Sequence, residues 1–264
     1  MELVMGGYRR NMLALGFFVF FLIVSGTLLS YFQERLIYFP GSQDFSACAP
    51  FRNAEKRVQD GTRFYFKNNG PRLAIIYHGN AGSACDRDFL AYLVGLSGYS
   101  YIVPEYTGYS NDSRKPSHEA IKRDVRHIID FLQEYGDKEV AIIGESIGTG
   151  VAAYHASLLS PDKIILLSPF TNLVEVARHH YWYYPVRLLV DNAFDNTANL
   201  AQYRGHILIL QGEEDDIILP RLGEELFTSL KTTQKEFRRI PDAGHNTLFD
   251  YTQTHDAIVN FLKK

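Results

Sequence analysis

Five residues, Gly144-Glu145-Ser146-Ile147-Gly148, stand between the apolar run Val140-Ala141-Ile142-Ile143 and a small-residue stretch that begins Gly150-Val151-Ala152-Ala153. A strand, a G-x-S-x-G turn and a helix in that order read as a nucleophile elbow. The turn strains the serine backbone, and Gly144 and Gly148 let strand and helix pass close together. Ser146 then projects from the carboxyl edge of a sheet. A serine hydroxyl is a weak nucleophile until an imidazole takes its proton, and the imidazole needs a carboxylate to fix its tautomer and stabilise its charged form. The implied chemistry is acyl transfer. G-x-S-x-G also arises by chance, so the partners decide.

Those partners are expected in the chain order serine, acid, histidine, each on a loop after a late strand. The strand 206–211 ends in Gly212-Glu213-Glu214-Asp215-Asp216, and the strand 235–240 ends in Pro241-Asp242-Ala243-Gly244-His245. Position alone leaves the four carboxylates open. Among the nine histidines, His245 is the one that follows a late strand. His118, His127, His155 and His255 fall in predicted helices, His179 and His180 in an irregular stretch, His78 follows an early strand and His206 opens one. An oxyanion hole needs two backbone N–H groups, one from the residue after the nucleophile, which is Ile147.

The elements that must position these residues follow from periodicity. Asp60-Gly61 before the alternating Arg63-Phe64-Tyr65-Phe66 predicts an early antiparallel hairpin. Strands are then predicted at 72–77, 101–104, 139–143, 163–167, 206–211 and 235–240. They alternate with helices at 87–96, 117–135, 146–159, 220–230 and 248–262. Ser117 caps the second of these helices. Short apolar strands alternating with helices imply a mostly parallel sheet with helices on both faces, an α/β fold. Only Ser168 to Gly205 separates two successive strands by a long stretch, which leaves room for a small cap or none. The aromatic cluster His179 to Tyr184 within it reads first as core packing; lining an acyl pocket or touching lipid headgroups is the alternative.

Here the chain resembles the α/β-hydrolases, over most of residues 60 to 263. Gly212 to Pro220 is similar to the family's acid segment, which implies Asp215, and Gly244-His245 is similar to its Gly-His segment. His78-Gly79-Asn80-Ala81-Gly82 is similar to its H-G-x loop, implying Asn80 as the second oxyanion donor. As a bare Gly-rich loop it could cradle phosphate, but it lacks both G-x-G-x-x-G and a Walker lysine. Glu105-Tyr106-Thr107-Gly108-Tyr109-Ser110, Pro116 to Glu119, Gln33 to Pro40 and Tyr181 to Asp195 resemble one subgroup. These are small membrane-anchored hydrolases often called Bem-type, related to thioesterases that remove palmitate from proteins. Thr107 stands where that subgroup commonly has arginine, and Glu145 where it more often has a neutral or basic residue.

The N-terminus adds a membrane. Arg10 and Glu34 bracket a charge-free stretch, and Met12 to Leu29 is apolar apart from Gly, Ser and Thr. About 20 such residues cross the hydrocarbon core as a helix, and Tyr31, Phe32 and Tyr38 supply an aromatic belt. A cleaved signal peptide is the rival, but the apolar run is overlong and no A-x-A-like site precedes Gln33. The organisation expected is a cytosolic tail 1–11, a transmembrane anchor 12–32, a linker and start of fold 33–59 and the hydrolase domain 60–264. Arg9-Arg10 before the span places the N-terminus in the cytosol and the domain on the periplasmic, lumenal or extracellular side.

A net charge of -3 over 264 residues supplies no basic footprint for nucleic acid. Cys48 and Cys85 are spaced wrongly for a metal knuckle and read as two independent thiols, a single bridge staying open in an oxidising compartment. Neither a metal nor a cofactor is expected. The reading is a membrane-anchored serine hydrolase of esters or thioesters, with Ser146, Asp215 and His245 catalytic, Asn80 and Ile147 the oxyanion hole, and lipids or acylated proteins as substrates. A peptidase of the same fold and a silent membrane-anchored binding module are the alternatives.

Overall fold

The computed structural model describes residues 2–134, 136, 139–191 and 194–264. It opens with helix α1 (Glu2–Ile37), unbroken past Phe32, so the stretch expected as a linker begins as helix. Phe39–Pro40 then pairs in parallel with Ala81–Gly82. There follow β1 (Glu55–Gln59), β2 (Thr62–Lys67), β3 (Arg72–Tyr77), α2 (Asp88–Leu96), β4 (Ser100–Glu105), α3 (His118–Glu134) and β5 (Glu139–Glu145). Next come α4 (Ile147–Leu158), β6 (Lys163–Leu167), the short cap helices α5 (Leu173–His180), α6 (Val186–Leu189) and α7 (Asn196–Asn199), β7 (His206–Gly212), α8 (Pro220–Ser229), β8 (Lys235–Ile240) and α9 (Thr252–Lys263). The helix expected to end at Tyr135 is seen to Glu134; Tyr135 lies outside the described residues. A 3₁₀ turn, Leu248–Asp250, stands apart from α9 where one closing helix was expected.

The strands form one sheet in the order β8-β7-β6-β5-β3-β4-β2-β1. From β8 to β4 neighbours are parallel, and β2 pairs antiparallel with both β4 and β1, which is the expected early hairpin. Registers align the carboxyl ends: Tyr77 lies opposite Gly144, Gly144 opposite Leu166, and Ile240 opposite Gly212. The loops that follow β3, β5, β7 and β8 therefore open on one edge, where such sheets bind ligands.

The inner strands β3, β5, β6 and β7 read as mostly apolar runs because both faces are buried, whereas the edge strands β1 and β8 are polar and partly exposed. Leu73, Ile75 and Tyr77 join one core with residues of α3, α4 and α8, while Ala74 and Ile76 join a second with residues of α2 and α9. The period of two along a strand produces this division. Ser117 caps α3 as expected, its hydroxyl accepting from Ala120 N–H at 3.1 Å. Cys48 and Cys85 form a disulfide, Cα to Cα 5.9 Å, which corrects the reading of independent thiols. The bridge ties the segment before β1 to the loop after β3.

Burial also sets a pH dependence. His155 on α4 is wholly enclosed, one ring nitrogen 2.6 Å from the Tyr77 hydroxyl, and desolvation pushes its pKa down to about 3. In the unfolded chain the ring protonates near pH 6.5, so its contribution to stability is present above that pH and is lost progressively as pH falls toward the folded value. Between pH 7 and pH 5 the loss amounts to about 2 kcal/mol. Thermal unfolding at the two pH values should show a smaller acid-induced drop in His155→Gln than in the parent chain; equal drops would refute it.

Candidate active site

Ser146 sits between β5 and α4 with φ +54° and ψ −123°, a backbone conformation that a non-glycine residue holds only when its surroundings impose it. The surroundings are visible. A Cβ on Gly144 would lie 2.4 Å from the Gly148 carbonyl oxygen, and one on Gly148 would lie 2.4 Å from the Tyr77 and 2.5 Å from the His78 carbonyl oxygen. Side chains at either position would force β5, α4 and the end of β3 apart. Ser146 N–H donates to the Leu167 carbonyl at 2.9 Å, fixing the turn to β6. Ile147 opens α4, so its N–H has no carbonyl four residues back within the helix and points from the positive end of the helix dipole.

The Ser146 hydroxyl donates to His245 Nε2 at 2.9 Å, and His245 Nδ1–H donates to Asp215 Oδ2 at 2.8 Å. A carboxylate only accepts, so the proton belongs on Nδ1 and Nε2 is left basic toward the serine. Asp215 is 2% exposed. Its Oδ1 accepts from Ile217 N–H at 3.1 Å and Ile218 N–H at 2.7 Å, and its Oδ2 also accepts from Gln211 Nε2 at 3.2 Å. Glu213, Glu214 and Asp216 are exposed, so of the four candidate acids the structure brings Asp215 to the imidazole. Gly212 lets the two loops meet: a Cβ there would lie 2.3 Å from the Ala243 carbonyl oxygen.

Asn80 lines the same cavity as Ser146, Ile147 and His245. Its carbonyl accepts from Phe39 N–H at 3.0 Å and from the Tyr109 hydroxyl at 2.6 Å. One peptide earlier, His78 Nδ1–H donates to the Gly79 carbonyl at 2.8 Å, which orients the peptide carrying the Asn80 N–H. His78 is completely buried, 3.9 Å from the Tyr106 ring centre and 3.4 Å from Glu105. Sequence reasoning set His78 aside for following an early strand, and no spacing signals its pairing with Glu105.

Glu145 is engaged from 58 residues upstream. Arg87 grips it with Nε and Nη2, the latter 2.9 Å from Oε1, beside Gly79 in the lining of the cavity. Thr107, the other departure from the subgroup pattern, donates to the buried Asp124 through both its N–H, at 2.8 Å, and its hydroxyl, at 2.9 Å. The cavity is about 650 Å³ and mostly apolar, walled by the cap and by α1. Core packing for the aromatic cluster is corrected. Trp182 and Tyr183 are 79% and 53% exposed, while His180, Tyr181 and Tyr184 line the cavity.

Known proteins agree with this architecture. The family described as "alpha/beta hydrolase fold" matches residues 75–199. The chain is 31% identical over 259 residues to the uncharacterized protein Rv2307c of Mycobacterium tuberculosis, covering 91% of this chain and 92% of that one. It is 32% identical over 186 residues to the lysophosphatidylserine lipase ABHD12 of Gallus gallus, covering 62% of this chain and 49% of the lipase. It thus spans about half the length of that relative. Among solved structures, the esterase Pf2001 of Pyrococcus furiosus superposes with a TM-score of 0.67 at 15% identity over 86% of this chain and 97% of that one, a likeness of fold.

Proposed function

The chain has the α/β-hydrolase fold, and from that premise we propose that it is a membrane-anchored serine hydrolase cleaving lipid-type carboxylic esters or thioesters. The observation that carries the reading is the continuous hydrogen-bonded line from Ser146 through His245 to Asp215 at the cavity wall. Ser146 Oγ attacks the acyl carbon as His245 Nε2 takes its proton, and the carbonyl oxygen becomes an oxyanion held by the N–H groups of Ile147 and Asn80. His245 then gives the proton to the departing alcohol or thiol. Water, activated by the same imidazole, attacks the acyl-enzyme and releases the acid and free Ser146. Asp215 keeps Nδ1 protonated throughout and stabilises the imidazolium.

Asn11–Ile37 is long and apolar enough to cross a membrane, which supports the anchor at 12–32, the tail 1–11, and 33–59 leading to a domain 60–264. The Cys48–Cys85 disulfide supports an oxidising, non-cytosolic side for the domain, with Arg9-Arg10 cytosolic. The name of the ABHD12 relative supports a lipid ester; the thioester and acylated-protein readings rest on the resemblance to the Bem-type subgroup. Incubating the full chain in detergent with a fluorophosphonate should label it with one adduct per chain, and prior acylation by a slowly hydrolysed ester should protect it. Absence of labelling in folded protein would overturn the proposal.

A further inference from the structure

We infer that α1 is a wall of the acyl site as well as an anchor, so that a single-chain lipid ester or thioester slides into the cavity sideways from the leaflet in which α1 stands. The inference rests on the serine-hydrolase reading. Along α1 the partly or fully buried positions are Leu22, Ser25, Gly26, Leu29, Ser30, Gln33, Glu34 and Ile37, a stripe at three- and four-residue spacing that faces the protein. Polar atoms fasten the stripe to the cap. The Tyr184 hydroxyl donates to Ser25 Oγ at 2.9 Å, the Ser30 hydroxyl donates to the Leu189 carbonyl at 2.7 Å, and Asp191 N–H donates to Gln33 Oε1 at 2.9 Å. Gly26 admits Leu189, whose Cδ1 would lie 3.1 Å from an added Cβ. Small and hydroxyl residues bring helices together in this way inside membranes.

The stripe leads to the chemistry. Leu29, Gln33, Leu36 and Ile37 line the same cavity as Ser146 and His245. From Ile37 to Leu29 the helix rises about 12 Å. Arg87 and Glu145 stand beside Gly79 of the oxyanion loop, and the cap contributes apolar side chains such as Leu173 and Val176 to the same cavity. An ester headed by a polar group and trailed by one acyl chain matches that polarity.

Depth identifies the source of the substrate. About 20 helical residues from Met12 reach Tyr31, so the contacts at Ser25 to Ser30 fall at membrane level. The cap surface beside them exposes Trp182 and Leu188, 79% and 85% accessible, which suit an interface and are unfavourable in water. A substrate already in the leaflet reaches Ser146 along α1 without its chain crossing water.

The test uses the full chain in phosphatidylcholine nanodiscs with an ester series from butyryl to palmitoyl. Leu29→Trp should lower the ratio of palmitoyl to butyryl kcat/KM by about tenfold or more and move the optimum to shorter chains. Leu29→Ala should move it to longer ones. Leu28→Trp, exposed and off the cavity, should keep the parent ratio. An unchanged profile in both Leu29 variants that still take up the fluorophosphonate would overturn this inference alone. If the parent chain neither labels nor turns over any ester, the serine-hydrolase reading fails, and this inference falls with it.

Discussion

Replacing Ser146 by alanine is expected to lower kcat for a short p-nitrophenyl ester by about 10⁶-fold, with His245→Ala costing about as much, since the two act as a unit. Asp215→Asn should cost about 10⁴-fold, because an amide in that place offers its NH₂ to Nδ1 and favours the wrong tautomer. The order of effects follows from the geometry. Ser146 and His245 share a 2.9 Å hydrogen bond, and Asp215 acts one bond further on, through Nδ1 at 2.8 Å. Turnover measured on the full chain, with thermal unfolding to establish that each variant is folded, checks all three. A Ser146→Ala variant within tenfold of the parent would remove the serine from the chemistry.

The second large effect needs no reactive atom. Gly148→Ala would push a methyl group into the carbonyl oxygens of Tyr77 and His78, 2.4 and 2.5 Å away, and backbone cannot rotate aside as a side chain can. The first turn of α4 must shift from β3, carrying the Ile147 N–H away from the loop that bears Asn80. Overpacking of this kind costs about 1–3 kcal/mol of stability. Displacing an oxyanion donor relative to the nucleophile by about 1 Å costs about 100-fold in rate. Gly148→Ala should therefore show a lowered melting temperature together with that loss in kcat, while KM changes little. Parent-like kcat at parent-like stability would mean the elbow is looser than its contacts indicate.

Much of this site is legible in the amino-acid sequence. Gly144 to Gly148, the acidic run 213–216, Gly244-His245 and the loop 78–80 all lie at strand ends, and strand ends in a mostly parallel sheet converge on one edge; Asp215 within its run and Asn80 as a donor are what the family resemblance implies. Local pattern therefore carries global position there. Elsewhere it does not. Nothing near Glu145 announces Arg87, and nothing near His78 announces Glu105, because each pair joins the last residue of one strand to the segment that follows β3. The Cys48–Cys85 pairing is likewise a product of how the segment before β1 folds over the loop after β3. The exposed Trp182 defies the rule that aromatics fill cores, and the membrane proposed to lie beside the cap would supply the reason. The packed face of α1 is not part of the sequence reading, which takes the span as an anchor alone; only the structure brings Ser25, Gly26, Ser30 and Gln33 against the cap.

In the proposed reaction Ser146 Oγ is the atom that becomes acylated. The most direct measurement is digestion of the fluorophosphonate-treated full chain followed by tandem mass spectrometry to locate the adduct. One phosphonylated residue, Ser146, is expected, with no adduct in protein unfolded before treatment, since a serine without His245 beside it is unreactive. An adduct on any other residue, or equal labelling of folded and unfolded chain, would contradict it.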